Sequence, residues 1–532
     1  MDFKLHTIDI SIILIYLIGV IMLGFYFSKK HENAEDYFLA GRNLTWPIIG
    51  FSLFASNMSS NSLVGLAGSG FKDGFSVFSY EWMAVLVLII FAVFFLPFYL
   101  QNKIFTIPEY LERRFSYSVR AYASVIAIIL NILVDIAATL YAGGIVINLI
   151  FPQFALWQII VILALIAGLY TITGGLSSVM YTDAVQAVIL ILGSALISWF
   201  AFQAAGGWEP VRAVTESAHF HILKPADDPG LPWPSVFTGV LLIGFYFWGT
   251  NQYITQRTLA SRDTRQGQWG AIFAGFLKLF ILFIMIFPGA FARVLYPDMQ
   301  EMDLIYPTML LDLLPTGLLG IVLAGLIAAM MSSLDSGLNS VSTLLTMDFI
   351  TKFKPDWDSK KLMKVGRIIT AIVMIIAIVW APQIGKFEKL WDYLQMTLAW
   401  FSPPIVALFV MGLFTKRANN TGALAGIAVG ATMTVGVILN QALSIDMDLG
   451  NFLYVAFYHF IICCVFIFIF SKFGEHKEEA ELAKVVWTRD QFDRETAELS
   501  SIPWYKNYRY QALALILAVA IILLRYSGLF IN

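Results

Sequence analysis

The chain has 532 residues, 59% hydrophobic and only 13% charged, with a formal net charge of −2. A soluble chain carries about 25% charged residues, so this balance excludes a string of soluble domains, and the near-zero charge gives no basis for binding nucleic acid. The only two cysteines, Cys463 and Cys464, are adjacent in an apolar run, which excludes a disulfide framework and reads as packing.

About fourteen apolar segments are long enough to cross about 30 Å of hydrocarbon. They fall near 8–28, 46–70, 78–100, 119–149, 155–173, 180–204, 235–255, 270–295, 316–347, 363–381, 389–414, 420–440, 450–472 and 509–529. The prediction is an all-α polytopic membrane protein, one transporter domain over 1–532 embedded in a lipid bilayer. The first segment is too long for a signal-peptide core and no small-residue cleavage site follows it, so it is expected to be retained.

The second segment breaks the pattern. Its stretch LFASNMSSNSLVGLAGSG at 53–70 is small and polar in the middle. Lipid cannot satisfy such a backbone, so a break there requires protein or a water-filled cavity beside it. A helix broken at mid-membrane offers carbonyls and amides to an ion or a solute.

Farther along, QNKIFTIPEYLERRFSYSVR is amphipathic and expected at the membrane surface. Asp183 begins a span; it reads either as an ion-handling carboxylate or as a helix N-terminal acid favoured by the dipole. The loop 205–234 holds His219 and His221, which lack a nearby third ligand for a metal. Lys278 stands in the middle of an apolar span and needs a partner; Glu81 and Asp135 are the carboxylates available. AAMMSSLDS at 328–336 carries two adjacent hydroxyls, hard donors suited to Na⁺, although small residues in spans more often serve helix packing. Asp335 in this run is a further carboxylate near them.

Gln395 is either inter-helix glue or a solute contact, and it precedes Pro403 and Pro404, which are expected to kink or break that helix. Tyr80, Trp82, Trp248 and Trp391 lie near these polar groups. In the charged loop 471–511, KEEAELAK supports a short surface helix. No phosphate-binding P-loop, GxSxG, HExxH or CxxC occurs, so no catalytic role is expected, and uphill transport would draw on an ion gradient.

Lys and Arg set the orientation. Lys29, Lys30, Arg42, Lys103, Arg113, Arg114, Arg257, Arg262, Arg265 and the lysines at 352–364 fall in gaps of one parity, which are therefore assigned to the cytoplasm. Both termini are then extracytoplasmic, in the plasma (inner) membrane.

Several ordered stretches resemble the solute:sodium symporter family, most of all its sodium/glucose and galactose branch. They are EDYFLAGR at 35–42, ASNMSSNSLVGLAGSG at 55–70, SYEWM at 79–83, FTIPEYLERRF at 105–115 and YTITGGLSSVMYTDAVQ at 170–186. WGTNQYITQRTLAS at 248–261, GFLKL at 275–279, AAMMSSLDSGLNSVSTLLTMD at 328–348 and PPIVALFVMGLFTKRANNTGALAG at 403–426 complete them. The resemblance implies a LeuT-type fold of two inverted five-helix repeats, here 46–204 and 235–414, with flanking helices at 8–28 and 420–529. It implies a sodium site on the carbonyls of Ala55, Met58 and Ala329 and the hydroxyls of Ser332 and Ser333. Asp183 would lie on the ion path, with Ser336 beside it as part of a possible second sodium site. Asn57, Tyr80, Glu81, Lys278 and Gln395 would contact the solute.

Ser62, Asp135, Gly244 and Phe247 depart from the branch's usual residues and bear on which solute is taken. The implied function is Na⁺-coupled secondary symport of a sugar or related polyol by alternating access. The alternatives are symport of another organic solute (a sugar acid, an amino acid or another nutrient), a nutrient sensor, or a channel.

Overall fold

The computed structural model describes residues 5–28, 34–443 and 449–527, so Lys29 and Lys30, used above for orientation, lie outside the described residues. The side chains of 20, 21, 23–28, 34, 169–175, 177, 178 and 442 also lie outside that description, which removes part of the motif at 170–186. The described residues are helical apart from turns, loops and two isolated bridges, Leu44 to Ser261 and Lys224 to Pro232.

Ten described stretches are long and apolar enough to cross a bilayer: Gly74–Gln101, Tyr117–Ile150, Val179–Ala204, Thr264–Leu295, Leu318–Phe353, Ser359–Lys386, Leu390–Phe414, Asn420–Gln441, Phe452–Phe470 and Tyr508–Arg525. The first expected segment is the helix Thr7–Ser28. The segments expected at 155–173 and 180–204 belong to one helical run, Leu156–Ala204, with no loop between them. The expectation of two separate segments there needs correction: at about 1.5 Å per residue the 49 residues amount to about 74 Å of helix, more than twice the hydrocarbon thickness, with no intervening turn.

Burial orders the helices. In Leu318–Phe353, 83% of the most apolar window is covered by protein, against 28% in Phe452–Phe470 and 22% in Tyr508–Arg525. The first is therefore the hub of the bundle, and the last two present most of their surface outward, as apolar helices do against lipid.

Two helices are interrupted. Trp46–Asn57, opened by Pro47, stops at Met58 (φ −90°, ψ 62°) and Ser59 (φ −88°, ψ 179°), and Ser60–Lys72 restarts the helix. The run from Trp233 to Thr250 stops at Asn251 (φ −77°, ψ 123°), whose side-chain oxygen accepts the Tyr253 N–H at 3.0 Å and caps Gln252–Leu259. Ser60–Lys72 crosses Thr264–Leu295 at very close range. A Cβ on Gly289 would lie 2.3 Å from the Ala67 carbonyl, and one on Gly70 would lie 2.7 Å from that of Ile286. Only glycine admits that backbone approach.

Several expectations need correction. Leu390–Phe414 runs unbroken through Pro403 and Pro404. The carbonyl that Pro404 leaves without its helical donor, that of Trp400, accepts the Thr434 hydroxyl at 2.9 Å, and Gly430 lies against the Pro404 ring. In the loop after Gly74–Gln101, Arg114 is buried and donates to the carbonyls of Gly412, Thr415 and Ala418, each at 2.8 Å, rather than lying at the surface. In 471–511 the short helix expected from KEEAELAK is present as Glu479–Leu482, and a longer helix that was not expected, Arg489–Ser500, follows, opened by a Thr488–Gln491 capping box.

Candidate functional site

The break at Met58–Ser59 leaves four helix-end carbonyls without amides to bind. The Ser56 carbonyl accepts the Tyr253 hydroxyl at 2.6 Å and the Ser333 hydroxyl at 3.5 Å. The Asn57 carbonyl accepts the Ser62 hydroxyl at 2.5 Å. Among the described residues no hydrogen bond reaches the carbonyls of Ala55 or Met58. Ala55, Met58, Ala329, Ser332 and Ser333 are all fully buried, and the Ser333 contact to Ser56 holds the two helices' oxygens face to face. A set of neutral carbonyl and hydroxyl oxygens with two carbonyls to spare fits a hard monovalent cation such as Na⁺.

Asp183 lies behind this set, fully buried. Its Oδ1 accepts a short hydrogen bond from Ser332, and its Oδ2 accepts from Ser52 at 2.5 Å and Ser56 at 3.3 Å. Because the Ser332 hydroxyl donates its proton to this hydrogen bond, its oxygen lone pairs stay free to accept from or coordinate another group. The expected position of Arg257 needs correction: it is not a loop charge facing the cytoplasm. It is 1% exposed on Gln252–Leu259, with Nη2 3.5 Å from the Asp183 carboxylate and Nε donating to Ser52 at 3.0 Å. The same guanidinium donates to Ser336 and to the Tyr253 carbonyl. Sequence reasoning missed it because a positive residue just past an apolar run has the same signature as a membrane-flanking one.

On the other side of the break is a narrow polar cavity. All eight solute-contact candidates line it: Asn57, Ser62, Tyr80, Glu81, Asp135, Phe247, Lys278 and Gln395. Lys278 donates to both Glu81 and Asn57 through short contacts, and its ammonium sits 4.7 Å above the Trp248 ring. Tyr80 meets Trp391 edge to face at 5.5 Å. Asp135 is 5% exposed, and its Oδ2 has no hydrogen-bond partner. Gly244, Trp248 and Trp391 also line the cavity; Trp82 is buried elsewhere, against Phe237. Ser59, Asn61 and Tyr253 were not singled out from sequence. The first two lie in the polar stretch that marks the break, which was the available signal.

Ion pairs beyond the cavity join the two halves of the chain. Lys72 pairs with Glu388, and Lys389 pairs with Asp73 at 2.7 Å and Asp392 at 3.2 Å. Burial lifts the Asp303 carboxyl to about 6, although it accepts the Leu390 N–H. In the loop 205–234, burial and the nearby Arg293 push His219 down to about 4, with its Nε2 3.1 Å from the Phe71 carbonyl.

The family model "Sodium:solute symporter family" matches residues 37–430. The chain is 33% identical to sodium/glucose cotransporter 1 of Ovis aries, over 93% of this chain and 83% of the relative. It is 36% identical to sodium/myo-inositol cotransporter 2 of Sus scrofa, over 80% of this chain and 69% of the relative. Among solved structures, a Na⁺-coupled sialic acid symporter superposes with a TM-score of 0.78 at 23% identity, covering 89% of this chain and 99% of that one. Mhp1, a nucleobase-cation-symport-1 family transporter, superposes with a TM-score of 0.57 at 14% identity, covering 85% and 99%. These likenesses establish the LeuT-type fold. The chain is an integral membrane protein that belongs to the sodium:solute symporter family, with Na⁺ as its coupling ion.

Proposed function

We propose that the protein imports a neutral sugar or related polyol together with Na⁺ by alternating access. The observation that carries this reading is the cavity wall. Glu81, Asp135, Gln395 and Asn57 supply acceptors, Lys278, Tyr80 and the amides supply donors, and Trp248 and Trp391 supply ring faces. A solute with many hydroxyls satisfies such a wall, since every hydroxyl both donates and accepts. Lys278 is already matched by Glu81, and Asp135 adds a further carboxyl, so the cavity is neutral or acidic and disfavours a strongly anionic solute.

The ion would bind the carbonyls of Ala55, Met58 and Ala329 and the hydroxyls of Ser332 and Ser333. These oxygens come from the broken helix and from the hub helix, so the ion favours whichever state brings the two together. Solute bound beside the break is released when the repeats 46–204 and 235–414 rock against each other. The termini face away from the cytoplasm in the cell membrane. The relatives that carry glucose and myo-inositol in their names support the solute class.

Proteoliposome uptake with labelled glucose, galactose, myo-inositol, proline and sialic acid, with and without a sodium gradient, tests the proposal. Saturable accumulation of a neutral polyol that requires Na⁺ is expected. Accumulation of only proline or sialic acid, or uptake indifferent to sodium, refutes it.

A further inference from the structure

Away from the polar cavity, a groove opens on the outward face of the bundle, lined by Trp46, Trp269, Phe273, Phe276, Tyr505 and Lys506 among others. Its wall is aromatic and held in place. Trp46 meets Phe273 edge to face at 5.2 Å, and the Trp269 indole N–H donates to the Lys506 carbonyl at 3.0 Å. The Gln511 amide donates to the Tyr505 carbonyl at 2.9 Å, which pins the short turn Trp504–Lys506 to the start of the last helix.

Three segments pass from polar to apolar sequence at this groove. Trp46 follows AGRNLT and opens WPIIGF, Trp269 ends TRQGQW before GAIFAGF, and Gln511 ends YKNYRYQ before ALALILAV. A helix that crosses a bilayer makes that change at the headgroup level, where Trp and Tyr collect. Trp46, Trp504, Tyr505 and Tyr510 are all exposed there. Farther along the same helices, Phe280, Leu513 and Leu517 face outward, as lipid-facing residues do. The groove therefore spans the boundary, with aromatic rings on its apolar side and a charge at its polar rim. That charge is the Lys506 ammonium, 5.9 Å from the centre of the Tyr505 ring. Nearby, Arg509 pairs with Glu495 and Arg262 with Asp263, whereas among the described residues no carboxylate pairs with Lys506.

The geometry points to a binding site for an anionic phospholipid, its phosphate against Lys506 and the first part of an acyl chain against Phe273 and Phe276. A free phosphate would meet only the lysine, and an apolar molecule only the rings; a phospholipid at this depth meets both. Trp46 is the first residue of the broken helix, and Lys506 leads into the last helix, so the bound lipid holds these two parts of the chain together. A ligand that binds only the folded arrangement stabilises it by mass action.

The inference rests on the chain's place in a membrane and not on its solute or its ion. Native mass spectrometry of the purified full-length protein in detergent, with dioleoyl phosphatidylglycerol or dioleoyl phosphatidylcholine added, tests it. One phosphatidylglycerol should be retained about fivefold more tightly than phosphatidylcholine, the preference that one basic residue near a surface supplies, and it should raise the thermal unfolding midpoint. Lys506→Gln should remove the preference and Lys506→Glu should reverse it. Lys506 is exposed, so both variants should fold; Lys360→Glu, at an exposed lysine on another helix, should leave the preference intact. Equal retention of the two lipids by the wild type would overturn the proposal. So would a preference that survives Lys506→Glu, or one that Lys360→Glu removes as well. Glycerol phosphate, the headgroup without chains, should not shift the unfolding midpoint. A shift as large as that from phosphatidylglycerol would reveal a site for soluble anions and overturn the lipid assignment.

Discussion

Removing Lys278 should damage the protein more than removing Lys278 and Glu81 together. The pair is buried, with side-chain exposures of 1% and 4%, and the ammonium also satisfies Asn57. Lys278→Met keeps most of the volume but gives up the ammonium over the Trp248 ring and leaves Glu81 without its counter-charge in a poorly hydrated cavity. Breaking a buried ion pair from one side costs about 3–5 kcal/mol, whereas replacing both partners by neutral groups is often near neutral. The remaining losses in Glu81→Gln/Lys278→Met are the Asn57 hydrogen bond and the ammonium contact with the Trp248 ring, about 1 kcal/mol each, and Lys278→Met suffers both as well. The double variant should therefore recover at least about 2 kcal/mol relative to Lys278→Met. Thermal unfolding in detergent without sodium or solute should rank wild type above the double variant and the double variant above Lys278→Met. Both variants should lose solute uptake, which separates folding from recognition. A Lys278→Met protein as stable as the double variant would refute the idea that the pair is desolvated and mutually dependent.

Ser333→Ala removes one of the oxygens facing the ion, and a bond to a charged group is worth about 1.5–3 kcal/mol, so half-saturation by Na⁺ should rise about ten- to a hundredfold. Sodium titration of ²²Na⁺ binding reads this, and an unchanged midpoint would remove Ser333 from the site. Gln395→Ala removes a neutral cavity amide and should raise the solute KM about two- to tenfold without shifting the sodium midpoint; a change confined to the sodium midpoint would contradict its place beside the solute. His219 is held neutral in the fold, down to about 4 from its ordinary 6.5. Its stabilising contribution is therefore present above about 6.5 and is lost as pH falls from there toward 4. His219→Gln, which cannot charge, should flatten the loss of thermal stability across that interval. If the acid-side slope is the same in both proteins, His219 does not contribute to it.

The individual elements divide by the range of the interactions that make them. The broken helix was legible in sequence because its cause is local. Small polar residues from Ser56 to Ser62 cannot face lipid, and the turn falls inside that stretch at Met58–Ser59. The second break, at Asn251, was less legible, because the polar run TNQYITQ falls at the end of an apolar segment, where polar residues read as the end of a span, and the helix stops through one side-chain cap. Pro403 and Pro404 misled in the opposite direction. Their chemistry predicts interruption, yet Thr434 from another helix takes the freed carbonyl and Gly430 makes room for the ring.

Residue types and spacing by themselves determined that this chain lives in a membrane, that one span is broken near its middle, and that lone polar groups such as Lys278, Glu81 and Gln395 must meet other polar groups. Each of these follows from the cost of leaving a polar group in hydrocarbon, which is a property of the segment alone. The tertiary structure alone decided which groups meet. It put Lys278 on Glu81 and left Asp135 with an oxygen to spare, and it turned Arg257 from an apparent cytoplasmic marker into the partner of Asp183. Those pairings join residues up to about two hundred positions apart, and a charge's position along the chain carries no record of which distant helix packs against it.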